Sequence, residues 1–204
     1  MGSTRLPGKV LLPLNGRTVI GEVLTRCARI KTDDLVCAVP DTPENDILAV
    51  KAAQYARVVR GPEHDVLARY VMASMGFDVV MRITADCPLL CPELCNTVLA
   101  ALGDYDYASN VEPRTFPQGF DCEVFTRKAL MRSCREHGCS CREHVTTCLR
   151  TGPFRRTNVE SPWKLEGRVT LDTEDDYRTI CAAFGHQPFE CTERSSLLRA
   201  ELTA

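Results

Sequence analysis

The chain has 204 residues, a formal net charge of -2, 25% charged and 44% hydrophobic residues. That suits one α/β domain with a proper core and excludes a global basic field of the kind that binds nucleic acid. Apolar runs are too short to span a membrane, and the amino end has no apolar core of a secretory signal, so a cytoplasmic protein is expected. Twelve cysteines are many for this length. With no signal and thiols spread through regular patterns, they read as reduced side chains rather than a disulfide framework.

Elements alternate along the chain. Residues 18–30 carry Val19, Ile20, Val23, Leu24 and Cys27 at helical spacing. Residues 35–39 read as a buried strand, and Pro43 opens a helix to Ala53. Strands are expected at 56–59 and 78–84, with a helix over 63–75 between them. Pro92 starts a helix to Leu102. Strands follow at 105–109 and 122–125, helices at 127–136 and 142–150, strands at 154–160 and 168–171, and a helix at 174–184. A short last helix is expected from about Glu193 to Leu202. This alternation predicts a largely parallel sheet covered on both faces.

In such sheets ligands lie beyond the carboxyl ends of strands. Asp41, Asp86 and Asp172 each follow a predicted strand there. The opening segment, Met1-Gly-Ser-Thr-Arg-Leu-Pro-Gly-Lys9, has the composition of a polyphosphate cradle: Gly2, Ser3 and Thr4 can converge backbone N–H groups, and Arg5 and Lys9 add positive charge. Asp86 and Asp172 facing that loop suit a magnesium ion that also binds phosphate oxygens. A lone aspartate after a strand is as readily a helix cap, a role open to Asp172. Arg114 sits in a Pro- and Gly-rich loop that reads as a lid or a long connection. Cys134, Cys139, Cys141, His144 and Cys148 are dense enough to consider zinc, although the spacing matches no paired scheme.

The opening segment resembles the nucleotide-binding signature of the cytidylyltransferase family. Arg60-Gly-Pro-Glu-His-Asp-Val-Leu-Ala-Arg-Tyr70, Arg82-Ile-Thr-Ala-Asp-Cys-Pro-Leu89, Asp106-Tyr-Ala-Ser-Asn110, Arg142-Glu-His-Val-Thr146 and Leu171-Asp-Thr-Glu-Asp-Asp-Tyr177 match in family order, closest to the spore coat polysaccharide biosynthesis protein F branch. The resemblance implies a three-layer α/β/α nucleotide-diphosphosugar transferase-like (Rossmann-like) fold with a mixed sheet. It implies one domain, with a nucleotide-binding half over about 1–110 and a sugar-binding or dimerisation half over about 111–204. Its chemistry is attack by a sugar hydroxyl on the α-phosphate of CTP, with an acidic sugar as acceptor and a CMP-sugar for surface glycan synthesis as product. By position, Ser3, Arg5 and Lys9 hold the triphosphate, Asp86 binds magnesium and Asp172 completes the metal site. Arg82, Asn110, Glu123 and His144 are candidates for the nucleotide or sugar pocket, and a homodimer fits the family. Other readings are a nucleotidyltransferase with another base or acceptor, or an inactive scaffold.

Family members begin with an apolar strand ending in an Ala-Arg pair before the methionine that is residue 1 here. Without it, the neighbouring strands are expected to face an empty slot, leaving roughly five hydrogen bonds at about 1 kcal/mol each unmade. A poorly stable, weakly active chain follows as the expectation, with both properties restored by an upstream strand.

Overall fold

The computed structural model describes residues 5–136, 142–162 and 167–185. A tight hairpin comes first, β1 (Pro13–Leu14) with β2 (Arg17–Thr18), turning on Asn15 and Gly16 at positive φ. The apolar pattern predicts no hairpin here, although Asn-Gly between two short extended pieces is a strong hairpin signal. Thr18 then caps α1 (Val19–Cys27), its hydroxyl accepting from the Gly21 N–H at 3.2 Å.

β3 (Val36–Pro40) and β4 (Arg57–Gly61) pair in parallel, joined through α2 (Asp46–Ala52). After α3 (Val66–Ala73) comes β5 (Val79–Arg82), then α4 (Pro92–Ala101), β6 (Tyr107–Ser109) and β7 (Glu123–Thr126). α5 (Arg127–Glu136), α6 (Thr147–Thr151), β8 (Arg156–Asn158) and α7 (Glu174–Ala183) complete the described elements. The second sheet has the order β5-β7-β6-β8.

The sheet is mixed, not largely parallel: β7 runs antiparallel to both β5 and β6. The reason is its connection. β6 and β7 are joined by a loop with no helix, so the chain cannot make the crossover that a parallel neighbour requires. Alternate side chains serve opposite faces. Ala108 and Val124 pack with α4 and the end of α1, whereas Tyr107 and Phe125 pack with α3, α5 and α6. The result is the expected α/β/α layering.

Two other expectations need correction. Of residues 142–150, only those from Thr147 onward are helical; the preceding stretch spends its backbone on α3, with the Arg142 carbonyl accepting from the Leu67 N–H at 3.0 Å. Residues 168–171 form a single bridge, Arg168 to Gln118, because their partner is a curved loop rather than a strand. The helix expected at 193–202 lies outside the described residues.

The two larger sheets do not join. Among the described residues β3 pairs only with β4 on this side of the fold, and β5 only with β7. Between them runs a groove of about 420 Å³, lined by Val36, Cys37 and Ala38 on one edge and by residues 79–85 on the other. Ile20, Val23 and Leu24 of α1 and Val66, Tyr70 and Ala73 of α3 also line it. On this edge of β5, Val79 is 41% accessible.

Candidate active site

Lys9 is placed by apolar anchors on both sides of it. Gly8 takes a left-handed conformation (φ 68) and turns the chain into a short 3-10 segment, Lys9–Leu11. Leu6, Leu12 and Leu14 are buried with Leu171, Tyr177 and Ile180. The Tyr177 hydroxyl donates to the Pro13 carbonyl at 2.5 Å. The opening loop is thereby fastened to the start of α7. The Leu171 N–H donates to the Asp86 carbonyl at 2.8 Å, which sets the turn after β5 beside the segment leading into α7.

These anchors bring three sequence-predicted residues together. The Lys9 ammonium lies 2.9 Å from Asp86 Oδ2, 2.8 Å from Asp172 Oδ1 and 2.6 Å from the Leu171 carbonyl. Arg5 reaches Asp172 Oδ2 at 3.1 Å. Arg168, which the sequence reading did not select, also pairs with Asp172. Burial alone would lower the Lys9 pKa, but its hydrogen bonds to Asp172 and Asp86 outweigh that and hold it above the ordinary lysine value. For Asp172 burial acts to raise the pKa; the hydrogen bond from Lys9, with Arg168 and Arg5, reverses this and holds the carboxyl below its ordinary value.

Asp172 does not cap α7. Thr173 does, its hydroxyl accepting from the Asp176 N–H at 3.2 Å while Asp176 accepts back from the Thr173 N–H at 2.8 Å. That capping box leaves the Asp172 carboxylate to the cations. Asp41 does not join the cluster; it pairs with Arg60 at 3.0 Å.

The pair of carboxylates fits a divalent ion. Asp86 and Asp172 already share one cation, the ammonium, within 3 Å of each, and both offer hard oxygen donors. Among the described residues no group of three or more His, Cys, Asp or Glu side chains could hold a metal. Of the suggested zinc group, Cys139 and Cys141 lie outside the described residues. Cys148 departs from the reduced-thiol expectation, being disulfide-bonded.

Several of the remaining candidates have partners within the fold. Glu123 is buried and accepts from Arg82 at 2.5 Å and from the Tyr107 hydroxyl at 2.6 Å. Arg82 and Glu123 therefore neutralise each other inside the sheet. Asn110, 1% exposed, donates to the Phe120 carbonyl at 2.8 Å and accepts from the Cys122 N–H at 2.8 Å, closing the base of the 111–121 loop. His144 is exposed beside the start of α6. Gly2, Ser3 and Thr4 lie outside the described residues. Arg114, on the loop, forks onto Asp121 at 2.6 and 2.8 Å.

Comparison with known proteins points the same way. The cytidylyltransferase family pattern matches residues 1–153. The spore coat polysaccharide biosynthesis protein SpsF of Bacillus subtilis is 33% identical over 203 aligned residues, covering 90% of this chain and 82% of that protein. The 3-deoxy-manno-octulosonate cytidylyltransferase of Anaeromyxobacter dehalogenans is 27% identical over 225 aligned residues, covering 98% of this chain and 92% of that one. The structure of a cytidylyltransferase from Leptospira borgpetersenii superposes with a TM-score of 0.85 at 26% identity, over all of this chain and 92% of its own.

Proposed function

The chain belongs to the cytidylyltransferase family, a family of nucleotidyltransferases, and from that premise we propose that it transfers CMP from CTP to an acidic sugar, with magnesium, for surface glycan synthesis. The observation that carries this reading is the seat of Lys9 between Asp86 and Asp172. A lysine on the opening loop and two carboxylates, one from the turn after β5 and one from the segment leading into α7, share one point, as nucleotidyl transfer requires.

The roles follow from charge. Arg5 and Lys9 are the cations for the triphosphate, and on binding it they exchange carboxylate partners for phosphate oxygens. Asp86 and Asp172, so released, would hold the divalent ion. When bound, that ion supplies charge neutralisation on the phosphates and a lowered pKa for a bound hydroxyl. Nucleotidyl transfer depends chiefly on alignment and on electrostatic stabilisation of the pentavalent centre and the departing pyrophosphate. Lys9 is suited to the latter, since its raised pKa keeps it charged at neutral pH. No side chain in the cluster stands out as a general base.

Two features support an acidic sugar: the relative whose name includes 3-deoxy-manno-octulosonate, and the surplus of cations on Asp172. Among the described residues no helix is long and apolar enough to cross a membrane. A reaction that draws on CTP fits the cytoplasm.

The test is pyrophosphate release with each of the four nucleoside triphosphates, Mg²⁺, and a panel of sugar acids and neutral sugars. Release that requires CTP and a sugar acid is the expected result. Release with another nucleotide or a neutral sugar reassigns base or acceptor. Absence of release under every combination, from protein that is folded, leaves a binding protein.

A further inference from the structure

Asp172 carries more cations than it can keep once a metal ion arrives. Arg5, Lys9 and Arg168 all reach its two oxygens. A divalent ion on the same carboxylate claims lone pairs and repels its neighbours. Two of the three, Arg5 and Lys9, sit on the opening loop and have phosphates to go to in the reading above. Arg168 comes from a different part of the chain and needs a different destination.

Its backbone is tied to the loop that follows β6. The Gln118 N–H donates to the Gly167 carbonyl at 3.1 Å, and the Val169 N–H donates to the Gln118 carbonyl at 2.7 Å. Gly119, at φ 110, makes this approach possible; a Cβ there would lie 2.8 Å from the Val169 carbonyl carbon and 2.9 Å from the Thr170 nitrogen. The arginine on that loop, Arg114, already has both forks on Asp121. Arg168 has its close contact with Asp172 itself, the carboxylate a metal would claim. Beyond Asp172 it has a 3.6 Å contact with Asp176, which is itself engaged in the cap of α7, and its side chain is 36% exposed. A planar guanidinium with an exchangeable partner, open to solvent beside a metal-binding carboxylate, is matched to a second carboxylate brought by a ligand.

We propose that Arg168 receives the carboxylate of the acceptor sugar, leaving Asp172 when the metal ion binds there. The inference rests on the functional reading above and adds to it the residue that selects acidic acceptors. It also explains why the described site holds three cations around Asp172 when a nucleotide alone would need the two on the opening loop.

The experiment compares the wild-type chain with Arg168→Gln and Arg168→Lys, using CTP, Mg²⁺ and either 3-deoxy-manno-octulosonate or its carboxamide. The loss of one charge-assisted pair predicts a rise of about tenfold or more in the KM for the acid in Arg168→Gln. The preference for acid over carboxamide shrinks with it, Arg168→Lys recovers part of both, and the KM for CTP stays within about twofold. Separately from turnover, Mn²⁺ binding to the nucleotide-free protein, read by electron paramagnetic resonance, tightens in Arg168→Gln because Asp172 loses a competitor. An unchanged KM for the acid overturns the assignment, and so does a rise confined to CTP, which would make Arg168 a phosphate ligand. Weakened Mn²⁺ binding in a folded Arg168→Gln variant also overturns it, since the arginine would then only be supporting Asp172. Should the wild type use no sugar acid at all, the functional reading fails first, and the Mn²⁺ comparison still decides whether Arg168 competes for Asp172.

Discussion

Lys9 and Asp172 stand 163 positions apart in sequence, yet their side chains meet at 2.8 Å, with Asp86 closing the other side of the ammonium at 2.9 Å. The lysine therefore fills the place a divalent ion would take between the two carboxylates. Under the proposed reaction metal and nucleotide entry would be coupled by this, since phosphate oxygens would draw the ammonium away and free the carboxylates.

Replacing Lys9 should separate the two roles. Lys9→Gln is expected to bind Mn²⁺ more tightly than the wild type in the absence of nucleotide, because the competing cation is gone. The same variant should lose about 10²–10³-fold in turnover, the usual cost of a missing transition-state cation. Titration of Mn²⁺ by electron paramagnetic resonance, alongside pyrophosphate release, checks both. Weaker metal binding in Lys9→Gln would show that the lysine builds the site rather than plugging it.

The cluster also sets a pH window for stability. Asp172 and Asp176 are held below the ordinary aspartate value of 3.8, Asp172 by its cations and Asp176 by its hydrogen bonds to Thr173, both against the effect of burial. Their contribution is complete above about pH 3.8 and is lost as pH falls through the lowered values. Lys9 is held above 10.5 by Asp172 and Asp86. Its contribution is complete below that value and is lost as pH rises through the raised one. Thermal melts should therefore show a plateau between these limits. In Asp172→Asn the acid limb should flatten and the alkaline limb should weaken as well, since Lys9 loses a partner.

Gly119 is the hinge of contact between the 111–121 loop and the segment carrying Arg168. Gly119→Ala places a methyl against the Val169 backbone at a positive φ that disfavours any side chain. A loss of about 1–3 kcal/mol is expected, measurable by urea unfolding. Displacement of the 167–170 strip should reduce turnover further than the stability loss accounts for. A variant with wild-type turnover at a temperature where it is fully folded would show that the approach does not position the site.

The groove between β3 and β5 is expected to accept a strand. Both walls are sheet edges, and helices α1 and α3 line it as well. An extended segment there would be covered on both faces, so it should be apolar at successive positions. Adding a peptide of that kind in trans should supply roughly five hydrogen bonds at about 1 kcal/mol each. For a domain of this size that corresponds to a rise of about 10 °C in melting temperature, with turnover rising too. Equal melting temperature and turnover with and without the peptide would refute the expectation.

Much of this was legible in the sequence, and the reason is local. α1 and α7 announce themselves by apolar spacing and by Thr18 and Thr173 at their starts. Asp86 and Asp172 stand out in the sequence because strand ends collect ligands in α/β sheets. The parts that escaped depend on long-range pairing. Nothing near Glu123 reveals that Arg82 and Tyr107 will consume its carboxylate inside the sheet. Arg168 looked like one residue of a strand, because its ladder partner is a loop fifty positions earlier. The antiparallel β7 was hidden in the same way: its direction follows from the absence of a helix between residues 110 and 122, a weaker signal than the presence of one.

The position of Arg5, 3.1 Å from Asp172, has a practical corollary. The Arg5 side chain is 62% exposed, so its pull on Asp172 is screened by salt, and Mn²⁺ titrations of the nucleotide-free protein should be compared at one fixed ionic strength.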